Sequence, residues 1–286
     1  MTQNAQTTES TDLPEGPTVS VEWLAANLDR VVVVDASAMD HRGADTGIPG
    51  ARRFDLDGEM SADSALPHTM LPAGDFAQRL GRLGIGQDSV VVAYDRAGMF
   101  SSARAWWMLR ATGVSTPYVL DGGLPAWVAA GHPEAPLDLD PEPVAAPDVR
   151  ITDGAFIDDA DVAARLQDTE QAVVDVRSAE RFAGTAPEPR PGLRGGHMPG
   201  AVNVPFSELA PGGFLLDPQR LRDRLAGAVG DRQRLTFSCG SGITACVGAL
   251  AAVAAGRKQV SVYDGSWADW GRADHDPDER PVVTGA

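Results

Sequence analysis

Two cysteines in 286 residues leave few places for thiol chemistry, and the setting of one of them singles it out. Cys239 stands in "LTFSCGSGITACVGALAAVAA" (235–255), between a short apolar run and a run of small helix formers, with glycines at 240 and 242. A strand-to-helix turn of this kind predicts positive φ at both glycines, with successive backbone N–H groups turned toward one spot. The helix that follows adds the positive end of its dipole. A thiolate in such a cradle is stabilised and nucleophilic at neutral pH. Cys246, seven residues on and mid-helix, reads as an inert buried thiol. Ser241 lies inside the loop, where its hydroxyl can cap the next helix or meet a reacting group.

A nucleophile needs a substrate beside it. The segment 177–194 holds Arg177, Arg181, Arg190 and Arg194 against Glu180 and Glu188, a local excess of 4 − 2 = +2 in a chain of net charge −16. Arginine grips a carboxylate through two parallel hydrogen bonds, so the segment is a candidate site for an anion. Arg177 and Arg194 are read as solvated surface charges. Asp35 and Asp175, each after a valine run, are expected to fix neighbouring loops, and His197 to tie its turn to the sheet. Trp106, Trp107, Trp127, Trp267 and Trp270 are expected in the core. Cysteine and histidine spacing shows no metal-site pattern. "GGLPAW" and "CGSG" lack a phosphate-binding GxxxxGK[ST] loop, so no metal and no cofactor is expected.

These residues must be held by strands and helices, and the chain repeats its elements. "VVVVDAS" (31–37) recurs as "AVVDVRS" (172–178), "IPGA" (48–51) as "MPGA" (198–201), "VVVAYD" (90–95) as "RLTFSC" (234–239), and "DGGLPAW" (121–127) as "DGSWADW" (264–270). Four pairs in one order with similar offsets point to a tandem duplication. Continuous apolar runs such as "SVVVAYD" read as strands buried on both faces. "SSARAWWMLRATG" and "ITACVGALAAVAAG" read as helices that end at a glycine. The alternation predicts an α/β fold, each half a mainly parallel sheet flanked by helices. In such sheets ligands bind beyond the carboxyl ends of strands, where Cys239 stands in the second half and Asp95 in the first. The boundaries are a disordered polar tail over 1–17, a first domain over 18–131, a proline-rich linker over 132–150 and a second domain over 151–286.

Composition narrows the setting. An acidic surface repels nucleic acid and anionic membranes, so neither is an expected partner. Two cysteines make no disulfide framework, which points to a reducing cytoplasm. The opening "MTQNAQTTESTDLPEGP" has no apolar core of a signal peptide, and no run approaches a membrane span.

Together the duplicated halves, "GHMPGAVNVPF", "GTAPEPR", "CGSGITAC" and "YDGSW" resemble the tandem-domain rhodanese superfamily, in its 3-mercaptopyruvate sulfurtransferase branch. The resemblance covers nearly the whole chain after the tail. It implies two tandem rhodanese-like domains, the first without the catalytic thiol. It also implies sulfur transfer from 3-mercaptopyruvate through a Cys239 persulfide to a small thiol, a thioredoxin-type protein or cyanide. Arg181 and Arg190 would clamp the donor, and Gly240, Gly242, Ile243 and Thr244 would complete its site. Asp57 and His68, eleven apart, would join Ser241 in a proton relay that protonates the departing pyruvate enolate. The thiosulfate-using branch carries cations where this loop has Gly240 and Ser241, so thiosulfate:cyanide transfer is the alternative. A cysteine phosphatase needs Cys-x5-Arg, and the arginine position is Ala245. A non-catalytic sulfur carrier or binding module is the remaining class, and Asp95 in place of a thiol fits it for the first half.

Overall fold

The computed structural model describes residues 13–285. Residues 1–12 of the expected tail lie outside the described residues. Pro14 and Pro17 depart from that tail, because both are bonded to the first sheet. The Pro17 carbonyl accepts the Val119 N–H, and the Pro14 carbonyl accepts the Tyr118 hydroxyl.

The first half runs β1 (Thr18–Val19), α1 (Val21–Asn27), β2 (Val32–Asp35), β3 (Thr46–Gly47), β4 (Arg52–Arg53), α2 (Ala73–Arg82), β5 (Val90–Tyr94), α3 (Ser102–Thr112), β6 (Thr116–Leu120) and α4 (Gly123–Ala129). After β7 (Ala135–Pro136) the second half runs β8 (Phe156–Ile157), α5 (Asp159–Leu166), β9 (Gln171–Asp175), α6 (Ala179–Ala183), β10 (Val202–Asn203), α7 (Phe206–Leu209), α8 (Pro218–Val229), β11 (Arg234–Ser238), α9 (Ala245–Ala254), β12 (Gln259–Tyr263) and α10 (Ser266–Trp270). The sheet orders are β1-β6-β5-β2-β4 and β8-β12-β11-β9-β10, with every pairing parallel. One order therefore serves both halves, as the sequence echoes predict. The valine runs fill the central strands, whose residues are buried on both faces as parallel strands under helices require.

The central helices α3 and α9 pack on each other across the seam and share one core of residues from both halves. A helix apolar on all sides must be buried on all sides. Ala245 through Ala252 of α9 are buried without exception, and in α3 only Arg110 is exposed. All five tryptophans expected in the core lie at 4% exposure or less.

The proline-rich segment is not a free linker. Ala135–Pro136 pairs antiparallel with Thr46–Gly47, and Leu137 enters the first core. Further along, the Val144 N–H bonds to the Gly81 carbonyl. Proline enforces extended backbone, and extended backbone suits an edge strand laid along a surface.

Candidate active site

Cys239 follows β11 directly and is 1% exposed. Its N–H donates to Ser266 Oγ at 3.1 Å, and that hydroxyl donates to the Tyr263 carbonyl at 2.8 Å. Its carbonyl accepts the Trp267 N–H, so α10 holds the residue from behind. The thiol lies on a cavity of about 370 Å³ lined by Arg181, Arg190, Ser241, Ile243, Thr244 and Met39, among others. Within the described residues, no acceptor meets the N–H groups of Gly240 through Thr244.

The first half shows what such a cradle does. Asp95, the counterpart of Cys239, ends β5, and its carboxylate takes the N–H groups of Ala97, Phe100, Ser101 and Ser102 and the Ser102 hydroxyl, all within 2.9 Å. That loop binds an anion, its own side chain. In the second half Cys239 takes the place of the aspartate and the donors stay open to what binds there.

The two glycines of the cradle have different reasons. Gly242 has φ +80°, as the sequence predicts, and a Cβ there would stand 2.7 Å from the Asp264 carbonyl oxygen. Gly240 does not take positive φ, which corrects the sequence expectation. It is small because Arg181 Nη2 lies over it, 3.1 Å from where a Cβ would be.

Ser241 makes no cap for α9 and turns to the other half. His68 Nδ1 lies 3.0 Å from Ser241 Oγ, and Nε2 lies 2.8 Å from Asp57 Oδ1. Asp57 Oδ2 accepts the Met39 N–H at 2.6 Å. The bond from His68, ahead of the one from Met39 and against the opposing effect of burial, holds the Asp57 carboxyl below the usual carboxylate range. Asp57 thus stays ionised into acid and fixes one ring nitrogen while the other meets the hydroxyl. Four non-glycine residues among those described take positive φ: Met39, His68, Ser115 and Ser266. Three of them support this site, Met39 at Asp57, His68 in the chain and Ser266 behind Cys239. Each such conformation costs on the order of 1–2 kcal/mol, so neighbouring contacts must hold it.

One of those contacts was missed from sequence. Arg104 of α3 is fully buried, donating through Nη2 to the His68 carbonyl at 2.6 Å and through Nη1 to Asp264 Oδ1 at 2.7 Å, with the Gly242 carbonyl at 3.5 Å. Asp264 Oδ2 accepts the Met70 N–H at 2.7 Å. A first-half arginine therefore anchors both His68 and the loop that carries Cys239. Nothing in "SSARAWW" marks it, because its partners lie far along the chain.

The arginine cluster divides. Arg181 pairs with the buried Glu188, Nη2 to Oε2 at 2.5 Å, and faces the cavity. Arg190 lines the same cavity and has no ion pair among the described residues. Arg177 is no solvated charge: it is 2% exposed, bound to Asp175 and Glu188, and lies over the Trp267 ring. Burial works against its charge, and the two carboxylates more than offset that. Arg194 is likewise tied down, by the Trp270 carbonyl at 2.8 Å. Asp175 holds Arg177, and Asp35 holds the Ser37 N–H. His197 bonds the Phe182 carbonyl and stacks on that ring. Arg177 is spent on Asp175 and Glu188, and Glu188 also holds Arg181, so Arg190 is the cavity-lining arginine without a carboxylate partner among the described residues; Arg181 and Arg190 are the candidates to hold an anion there. Alanine at either is expected to lower kcat/KM about 10- to 150-fold, the worth of one charge-assisted contact at about 1.5–3 kcal/mol. Arg190→Ala is the cleaner measurement, since it strands no carboxylate. Lysine should recover only part, lacking the planar fork.

Comparisons with known proteins place the chain in a family. The family profile "Rhodanese-like domain" matches residues 20–130 and 158–273. The human 3-mercaptopyruvate sulfurtransferase is 40% identical over 229 residues, covering 78% of this chain and 76% of that one. The 3-mercaptopyruvate sulfurtransferase of Escherichia coli (strain K12) is 36% identical over 280 residues, 90% of this chain and 95% of that one. The crystal structure of SseA from Escherichia coli, described as having the rhodanese fold of 3-mercaptopyruvate sulfotransferases, superposes with a TM-score of 0.74 at 32% identity, covering 88% of this chain and 99% of that one. Matched in both halves and aligned along nearly its whole length, the chain belongs to the rhodanese-like family in its tandem form.

Proposed function

We propose that this protein is a sulfurtransferase that takes sulfane sulfur from 3-mercaptopyruvate on Cys239 and passes it to a thiol. Cys239 thiolate attacks the donor sulfur. The C–S bond breaks, its electron pair goes to carbon, and a Cys239 persulfide and pyruvate enolate result. The enolate takes a proton supplied through Ser241 and His68 and leaves as pyruvate. An acceptor thiolate then attacks the outer sulfur, carries it off as a persulfide and restores Cys239; cyanide leaves as thiocyanate. Two half-reactions on one thiol predict ping-pong kinetics.

The observation that carries this reading is the Ser241–His68–Asp57 chain beside Cys239. A carbanionic leaving group needs a proton at the moment of departure, whereas sulfite leaving from thiosulfate does not. Arg181 and Arg190 give a carboxylate its place, and Gly240 and Ser241 offer no cation to a dianion held close to the thiol. The first half, with Asp95 sealed in its own loop, contributes Asp57, His68 and a wall of the cleft rather than a second nucleophile. Both cysteines are free, which suits a reducing, cytoplasmic setting, and no helix among the described residues is long and apolar enough to cross a membrane.

The test is kcat/KM for mercaptopyruvate and thiosulfate side by side, with cyanide as common acceptor. Mercaptopyruvate is expected to lead by about a hundredfold, equivalent to about 2.7 kcal/mol of preference. Ser241→Ala should narrow that lead by depressing mercaptopyruvate alone. A wild-type protein that prefers thiosulfate would overturn the donor assignment while leaving sulfur transfer in place.

A further inference from the structure

A second cavity lies apart from the one at Cys239. It encloses about 640 Å³ and shares no lining residue with the cavity at Cys239. Gln171, Arg234 and Gln259, the first residues of β9, β11 and β12, lie on its wall. It therefore opens at the amino ends of the strands whose carboxyl ends present Cys239. Five residues of strand, roughly 15 Å, separate the two. Trp107, Arg110 and Ala111 of α3 line its other side, so the cavity straddles the seam between the halves.

Its charge runs against that of the protein. Arg110, Arg165, Arg234 and Lys258 line it against one carboxylate, Asp153, a balance of 4 − 1 = +3 in a chain of net charge −16. Lys258 is the single lysine in the sequence. Among the described residues, Arg110, Arg165 and Lys258 form no ion pair, and Arg234 only reaches Asp168 at 3.9 Å. Arg165 lines the cavity with its Nη1 fixed to Thr236 Oγ1 and Ser261 Oγ, at 2.9 and 2.8 Å. Burial pulls Arg165 below the ordinary arginine value; Asp161 opposes this and Arg234 adds to it. Burial lowers Arg110 as well. Cations held together and partly desolvated are relieved by a bound anion.

We infer that this cavity is a second binding site, for an organic di- or triphosphate. Four cations around one carboxylate call for a ligand with more than one negative charge. Arginine forks match phosphate oxygens, and Gln171, Gln259, Thr152 and Ser261 supply neutral polar contacts. The volume lies within the range of small-molecule sites and leaves room for an organic part beyond the phosphates. Because α3 forms one wall and second-half strands the other, such a ligand would clasp the two halves.

Calorimetric titration of the full chain with ADP, and with citrate as a polycarboxylate control, tests this. ADP is expected to bind one per chain, with an affinity that falls as salt rises and at least tenfold above that of citrate. The double variant Arg234→Glu with Lys258→Glu changes two exposed residues and turns the lining from +3 to −1. It should weaken ADP at least tenfold and leave mercaptopyruvate kinetics unchanged. No ADP binding to the wild-type protein, equal binding by the variant, or citrate bound as tightly as ADP would each overturn the assignment. All three outcomes are independent of the chemistry at Cys239.

Discussion

Serine at position 239 is expected to abolish sulfur transfer from every donor, while serine at 246 leaves most of it. The two thiols differ in where they sit, one in a glycine-flanked turn and the other inside a helix. Cys239 opens onto the cavity beside free N–H donors and the Ser241 hydroxyl. Cys246 lies inside α9, its thiol against the Gly242 carbonyl at 3.3 Å, and burial pushes that thiol up to about 12. A thiol so raised stays protonated across the neutral range and is no nucleophile there. Because the unfolded thiol ionises in the ordinary cysteine range and the folded one does not, the fold loses stability progressively as pH climbs from that range to about 12, and loses none of it below that range. Incubation with mercaptopyruvate and no acceptor should therefore add one sulfur atom to the wild-type and Cys246→Ser proteins, and none to Cys239→Ser. Intact mass reads all three. At neutral pH an alkylating reagent should consume one equivalent and all activity together. A Cys239→Ser protein that turns over would end the persulfide mechanism.

Arg104→Met should be the most damaging change away from the thiol. Methionine keeps much of the volume but strands the Asp264 carboxylate and the His68 carbonyl. Removing one partner of a buried pair costs about 3–5 kcal/mol. That corresponds to a fall in Tm on the order of 10 °C for a chain of this size. Below its melting range the folded variant should still show kcat reduced well beyond any change in KM, because His68 and Gly242 lose their common anchor while Arg181 keeps its pair with Glu188. Lysine at 104 restores at most the contact with Asp264. Wild-type Tm and kcat in Arg104→Met would show that the seam holds the site by other means.

Some of this architecture could be read from residue types because it depends on local pattern. Valine runs, glycines after helices and the four echoed segments require no knowledge of what packs on what. The nucleophile was legible for the same reason, as one thiol in a glycine-flanked turn. Arg181 and Arg190 came with the resemblance, and so did Asp57 and His68. Residues defined by partners far along the chain stayed hidden. Arg177 looks like any exposed arginine until Asp175 and Glu188 enclose it. Gly240 looks like a conformational glycine until Arg181 is seen lying across it. The segment 132–150 reads as a tether because proline forbids helix, but the same extended backbone lets Ala135–Pro136 join Thr46–Gly47 as an edge pair. The left-handed Met39, His68 and Ser266 follow from no propensity, since tertiary contacts impose them.

The carboxylate of Asp95, sealed in its own loop, bears on how the two copies have been free to diverge. A duplicated half that supplies its own anion folds complete and has nothing left to select for at that loop except stability. The other half keeps its donors vacant and is complete only while a substrate or a sulfur-loaded thiol occupies them. Open site and sealed scaffold are thus opposite settings of one strand-to-helix turn, reached with Cys239 in one copy and Asp95 in the other. With its own anion in place, the first half is a filled support for Asp57 and His68, against which the loop of Cys239 can stand open.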